Sequence, residues 1–225
     1  EGFWEDLLKL VHERTTIPNI GLAGELTIDL NTLEEVLKRV SSLQGDLQEP
    51  QAMKKVMDVA AEALLTVRGF LDLEPANPVY EVIYERLKEL EKEWHTSRAL
   101  SRKTIDELTS LIREVISYRK EREALSLVER LKYDIKKFIS SKFQVSDKNI
   151  KLDNTERIIQ EVIENYKGIR ALMFYERDRK NLRTALLQDL FNTLKGVSSE
   201  DVKQAVYNLA RYIEGEVLHE LQGRH

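Results

Sequence analysis

The side chains best suited to move protons or bind a metal near neutral pH are the histidines His12, His95, His219 and His225. None stands four residues from another. Glu216 and His219 make one Glu-x-x-His step, whereas a di-metal helical bundle needs that step on two helices. These histidines read as surface residues. Carboxylates recur four apart at Glu81, Glu85 and Glu89, but Arg86, Lys88 and Lys92 interleave with them, as on a solvated helix face. Cysteine is absent, which excludes disulfides and thiolate metal sites. Gly21 and Gly24 do not make a phosphate loop, because no Gly-Lys-Ser/Thr ending follows and no strand precedes them. The sequence offers no catalytic, cofactor-binding or metal-ligating set.

Two basic clusters remain: Arg119, Lys120 and Arg122, then Arg177, Arg179, Lys180 and Arg183. Arginine presents forked donors that match phosphate or carboxylate oxygens. Glu121, Glu123, Glu176 and Asp178 lie among them. Three readings stay open: phosphate or DNA contact, ion pairing to a neighbouring helix or subunit, and plain solvation. Arg179 and Arg183 are four apart and share a helix face with Leu186 and Leu190. They stand where an apolar stripe runs out, which favours a protein neighbour over phosphate. Phe174 and Tyr175, just before them, suit either a core or a partner anchor.

The elements that position these residues are helices. Asn77 before Pro78 is a helix start, since Asn caps and Pro at the first position gives up an amide that had no partner. Val79, Ile83, Leu87, Leu90 and Trp94 then form one stripe. Thr104 with Glu107, and Ser126 with Glu129, have capping-box spacing. They head stripes of Ile105, Leu108, Ile112 and Val115, and of Val128, Leu131, Ile135 and Phe138. A break is expected between Ala124 and Ser126. Upstream, Phe3 to Val11 reads as a short helix and Thr15 to Leu30 as a Gly/Pro loop. Asn31 with Glu34 starts a helix carrying Leu33, Val36, Leu37, Val40 and Leu43, which Gly45 ends. Pro50 or its neighbour opens the next, with Met53, Val56, Met57, Ala60, Leu64 and Val67 inward, before a turn from Gly69 to Asn77. Downstream, Val145 to Asn154 is a polar connector. Asp153 with Glu156 opens a stripe of Ile159, Val162, Tyr166, Ile169 and Met173. Gly196 and Ser198 precede a last helix with Val202, Val206, Leu209, Ile213 and Val217 inward. The expectation is an all-α fold, an irregular bundle of about eight or nine helices, divided into residues 1–76 (helical, with the Gly/Pro loop) and 77–225.

Composition agrees. The 225 residues are 42% hydrophobic and 33% charged, with apolar positions that are periodic rather than sparse. All four prolines lie at or before Pro78, which suits long helices afterwards. No apolar run approaches the roughly 20 residues of a membrane span, and no signal peptide is visible. The expected location is cytoplasmic, with no membrane contact. The first residue is Glu1 rather than Met, which predicts a piece of a longer polypeptide. The formal net charge is −4, which argues against a primary DNA grip. The excess of cations over acids is confined to the stretch from Asn77 to Lys195.

Three blocks of that stretch resemble the C-terminal helical region of the motor/endonuclease (R) subunit of type I restriction–modification enzymes. Asn77-Pro78-Val79-Tyr80 through Glu85-Arg86-Leu87 is similar to the family's opening. Glu107-Leu108 through Arg119-Lys120-Glu121-Arg122-Glu123 is similar to its central helix. Glu161-Val162-Ile163, then Tyr175-Glu176-Arg177 to Arg183-Thr184-Ala185-Leu186, is similar to its end. Ala124 stands where the family often has Gly, and Phe174-Tyr175 where it usually has Trp. The resemblance covers about half of the chain and does not extend to residues 1–60 or 196–225. It implies a parent enzyme that binds ATP and Mg²⁺, translocates duplex DNA and cleaves it far from its recognition site, in complex with methylation and specificity subunits. The region resembled is associated with docking the motor onto the methyltransferase core, with DNA reached through the assembly. No Walker motif, helicase motif or nuclease carboxylates occur here, so the chain would hold no catalytic part and no cofactor of its own. A helical nucleic-acid-binding module using the two basic clusters is the alternative.

Overall fold

The computed structural model describes residues 28–43, 50–97, 102–191 and 193–223. These form eight α-helices: α1 (Leu30–Ser42), α2 (Pro50–Leu71), α3 (Pro78–Ser97), α4 (Arg102–Glu123), α5 (Leu127–Phe143), α6 (Asp153–Tyr166), α7 (Glu176–Phe191) and α8 (Ser199–Gly223), with a 3₁₀ turn at Asp147–Asn149. No strand occurs among the described residues, and the fold is all-α. The expected first helix, the Gly/Pro loop up to Thr27 and the stop at Gly45 lie outside the described residues.

Close contacts group the chain into two units that are discontinuous in sequence. One takes residues 1–75 and 83–119, the other 76–82 and 120–225. In the first, α1 packs on α2, burying Leu33, Val36 and Val40 against a column that includes Val56, Ala60, Leu64 and Val67. The stripes of α3 and α4 are buried as their spacing predicts, with Leu87, Ile105, Ile112 and Val115 wholly enclosed. Surface ion pairs lie over these cores: Arg39 with Glu62, and Arg86 Nη1 with Glu114 Oε2 at 2.5 Å. Gly69 does not begin a turn as expected, since α2 runs on to Leu71. A Cβ at Gly69 would stand 2.4 Å from Ile28 Cδ1, so the missing side chain is what admits the isoleucine.

In the second unit α8 packs against α5, α6 and α7, and α6 lies along α7. Leu131, Ile135 and Phe138 of α5, Ile159 and Val162 of α6, Leu186 and Leu190 of α7, and Leu209, Ile213 and Val217 of α8 are buried. The expected break falls between α4 and α5. There the Glu129 carboxylate accepts from the Ser126 amide at 3.1 Å and from its hydroxyl at 2.6 Å, the capping box that the spacing predicts. Asn77 also caps as expected, its Oδ1 accepting from Val79 N at 3.0 Å.

Other starts and stops differ from the sequence reading. Asp29, not Asn31, caps α1: its carboxylate accepts from Thr32 N at 2.9 Å, the position a capping oxygen reaches. α4 begins two residues before Thr104, which is buried in its first turn. At α6, the exposed amides are met from another helix. Asp189 of α7 accepts from Thr155 N at 2.7 Å and from Asn154 N at 3.3 Å, so a carboxylate distant in sequence satisfies orphan donors and faces the positive end of the helix. The polar connector before α6 still buries Ile150 and Leu152. Finally, the stripe of α6 ends at Tyr166. Gly168 takes φ +77°, a left-handed conformation that glycine adopts without strain, and Ile169 and Met173 lie in solvent rather than in the core.

Candidate functional site

The cations of the first basic cluster go to different places. Arg119 pairs with Glu74 in the first unit. Lys120 is exposed. Arg122 is buried at the C-terminal end of α4, in the second unit. Its Nε donates to Asp134 Oδ2 of α5 at 3.0 Å, and its Nη2 donates to Tyr212 O–H and to Glu216 Oε2 of α8, each at 3.0 Å. Tyr212 in turn donates to Asp134 Oδ2. Arg130 extends the network to Glu216 at 3.5 Å and Glu220 at 3.3 Å. Asp134 is fully enclosed, so this is a buried, charge-assisted junction of α4, α5 and α8. Burial first, and then the Asp134 charge, push the Tyr212 phenol well above its ordinary range. Arg122 is thereby an internal tie, with its donors directed at carboxylates.

The second cluster lies at the start of α7. Arg179 grips Glu214 of α8 with a fork, Nη2 to Oε1 at 2.7 Å and Nε to Oε2 at 3.0 Å. Arg183 pairs with Glu176 at 3.0 Å. Arg177 is largely exposed, 3.7 Å from Asp178, and Lys180 is exposed. Arg179, Arg183 and Arg211, with Tyr207, Glu176 and Glu214, line an open cleft of ≈ 470 Å³ between α7 and α8. Glu214 and Glu216 are two residues apart, roughly 200° around a helix of 3.6 residues per turn. Arg122 and Arg179 therefore hold opposite sides of α8. Among the described residues no group of His, Asp and Glu could hold a metal ion. His219 is exposed, and its i−3 neighbour Glu216 belongs to the Arg122 network.

Between α6 and α7 runs a loop in which Ile169 and Met173 continue the apolar spacing of the α6 stripe. It presents Leu172 at 89% exposure, Tyr175 at 66%, Met173 at 60% and Ile169 at 46%. Phe174, flanked by these, turns inward and is buried against Tyr166 at a ring separation of 5.0 Å. The Phe174–Tyr175 pair thus splits into a core residue and an exposed one. Hydrogen bonds from several directions fix the loop backbone. Ile169 N donates to Tyr166 O at 3.0 Å. Phe174 N donates to Glu214 Oε1 at 2.8 Å, Tyr175 N to the Tyr166 phenol oxygen at 2.5 Å, and Gln222 Nε2 to Ala171 O at 2.9 Å. Burial raises the Glu214 carboxyl, but the Arg179 fork and the Phe174 amide outweigh it and hold it below the ordinary carboxylate value. One carboxylate thereby fixes both the arginine and the loop. Periodicity alone could not find this arrangement. The available signal was Gly168, which interrupts the stripe one residue before Ile169.

No protein-family model and no solved structure matches the chain. It is 25% identical over 224 residues, 98% of its own length, to a protein of Methanocaldococcus jannaschii that carries the provisional name type I restriction enzyme MjaVIIP endonuclease subunit. The chain spans 20% of that relative's length. The alignment takes in the ends that the three blocks left unmatched. This similarity relates the chain to type I restriction enzymes.

Proposed function

We propose that the chain is a non-catalytic, C-terminal helical part of a type I restriction enzyme R subunit, and that it docks the motor onto the methyltransferase core by protein contact. The observation that carries this reading is the pairing of opposite features in the second unit. Arg122, Arg179 and Arg183 are directed at carboxylates of the same unit, while large apolar side chains of a hydrogen-bonded loop stand in solvent. Contiguous exposed apolar groups on an ordered surface mark protein interaction sites. In the parent enzyme, ATP and Mg²⁺ binding, DNA translocation and cleavage would belong to other regions, and DNA would be reached through the assembly. The partners are the methylation and specificity subunits.

The test is a pull-down of the chain against those two subunits, alone and together. Retention of a stoichiometric complex is expected. The rival reading, a nucleic-acid-binding module, draws on exposed Arg177 and Lys180. It predicts instead affinity for duplex DNA that falls steeply with salt, and that result with no subunit retention would replace the docking reading.

A further inference from the structure

The loop between α6 and α7 has a chemistry of its own. From Lys167 to Lys180 the chain carries Lys167, Arg170, Arg177, Arg179 and Lys180 against Glu176 and Asp178. Arg179 is taken up by Glu214 and Asp178 is buried. Arg170 and Lys180 are exposed and have no ion-pair partner among the described residues. The solvent-facing surface of this segment is therefore apolar at its centre and mainly cationic around it. We propose that the segment, with Leu172, Met173 and Tyr175 as anchors and Arg170, Arg177 and Lys180 as its rim, inserts into an apolar groove bordered by acidic side chains on a protein partner.

Charge complementarity selects that occupant. An aliphatic and an aromatic anchor need a desolvated pocket, and the cationic rim needs carboxylates opposite it. A phosphate backbone satisfies the rim alone: it leaves Leu172 and Met173 in water and meets the exposed Glu176 carboxylate, 76% accessible. A membrane surface is engaged by an amphipathic helix with a broad apolar face, whereas Leu172, Met173 and Tyr175 stand on a short loop before α7 begins. The backbone bonds to Glu214, Tyr166 and Gln222 hold the loop before it binds, so little ordering entropy opposes association. This inference rests on the docking reading and names the surface that reading requires.

Leu172→Ser with Met173→Ser, and separately Arg177→Glu with Lys180→Glu, test it in the full chain by titration calorimetry against the assembled methylation and specificity subunits. All four side chains are exposed, so the thermal transition of each variant should match that of the parent chain. The serine pair should weaken binding about tenfold or more. The charge reversal should slow association and reverse its dependence on salt. If the parent chain does not bind the subunits, the docking reading fails and this proposal with it. If the parent chain binds and both variants bind equally well, this proposal alone fails. Binding of the parent chain to duplex DNA or to phosphatidylserine vesicles, abolished in the same variants while subunit binding persists, would also overturn it.

Discussion

Replacing Asp134 by alanine removes the centre of the buried junction that joins α4, α5 and α8. Asp134 has no exposed surface and Arg122 retains 5%. Without the carboxylate, the Arg122 guanidinium keeps Glu216 at 3.0 Å but loses its Nε acceptor, and the Tyr212 hydroxyl loses the oxygen it donates to. Truncating one partner of a buried ion pair costs about 3–5 kcal/mol, because the remaining charge cannot return to water. Arg122→Met should cost a similar amount by removing the cation that faces the buried Asp134 carboxylate, while the double replacement Arg122→Met with Asp134→Leu removes both charges. Apolar substitution of a whole buried pair is often close to neutral, so the double variant should lose about 0–2 kcal/mol. That is far less than the sum of the singles, and the difference is the coupling between the two sites. Urea unfolding followed by far-ultraviolet circular dichroism, with Asp134→Leu as the matching single variant, measures all four corners of the cycle. A loss below about 1 kcal/mol for Asp134→Ala, or additivity of the single losses, would refute the account of this junction.

Other perturbations have definite signs. Burial, opposed by Arg68 and Lys88, raises the Glu91 carboxyl from 4.5 to about 7. The stability this gives is present in full below pH 4.5 and is lost as pH rises through 7. Glu91→Gln should therefore stabilise the protein by about 2 kcal/mol at pH 8 and by little at pH 4.5, read from urea midpoints at both pH values; equal effects would contradict it. Ile112→Ala, at a fully buried position, should cost roughly 2–5 kcal/mol in the same assay, and a loss below about 1 kcal/mol would contradict its core assignment. Arg179→Ala with Arg183→Ala should lower the melting temperature and leave DNA affinity unchanged, because these side chains hold Glu214 and Glu176. Loss of tight, salt-sensitive DNA binding in that double variant would reverse the assignment.

Helix interiors were legible because burial follows a period of 3.6 residues. Leu87, Leu108, Ile112, Leu131, Ile159 and Leu190 are all buried, as their spacing predicts. Helix ends were legible where the cap is local, as at Asn77 and Ser126, and illegible where a distant group supplies it. Nothing near Asp153 announces that Asp189 will meet the α6 amides. The loop failed for a related reason. Ile169 and Met173 continue the apolar spacing of Tyr166, but Gly168 at φ +77° ends the helix, and the same spacing then leads into solvent. Charge composition showed that arginines cluster. It could not show that Glu214 and Glu216 would draw two of them to opposite sides of one helix, since that depends on packing between helices far apart in sequence. The apolar stripe beyond Arg179 points to a neighbouring helix or subunit, and its partner Glu214 stands on a neighbouring helix of the same chain.

The central claim, docking by protein contact, is tested most directly by sedimentation of the chain with the assembled methylation and specificity subunits, with a parallel titration of duplex DNA over a range of salt concentrations. A one-to-one increment in the sedimenting complex that persists at moderate salt, with weak DNA binding by the chain alone, is the predicted result. No co-sedimentation, together with tight DNA binding whose affinity falls steeply with salt, would contradict it.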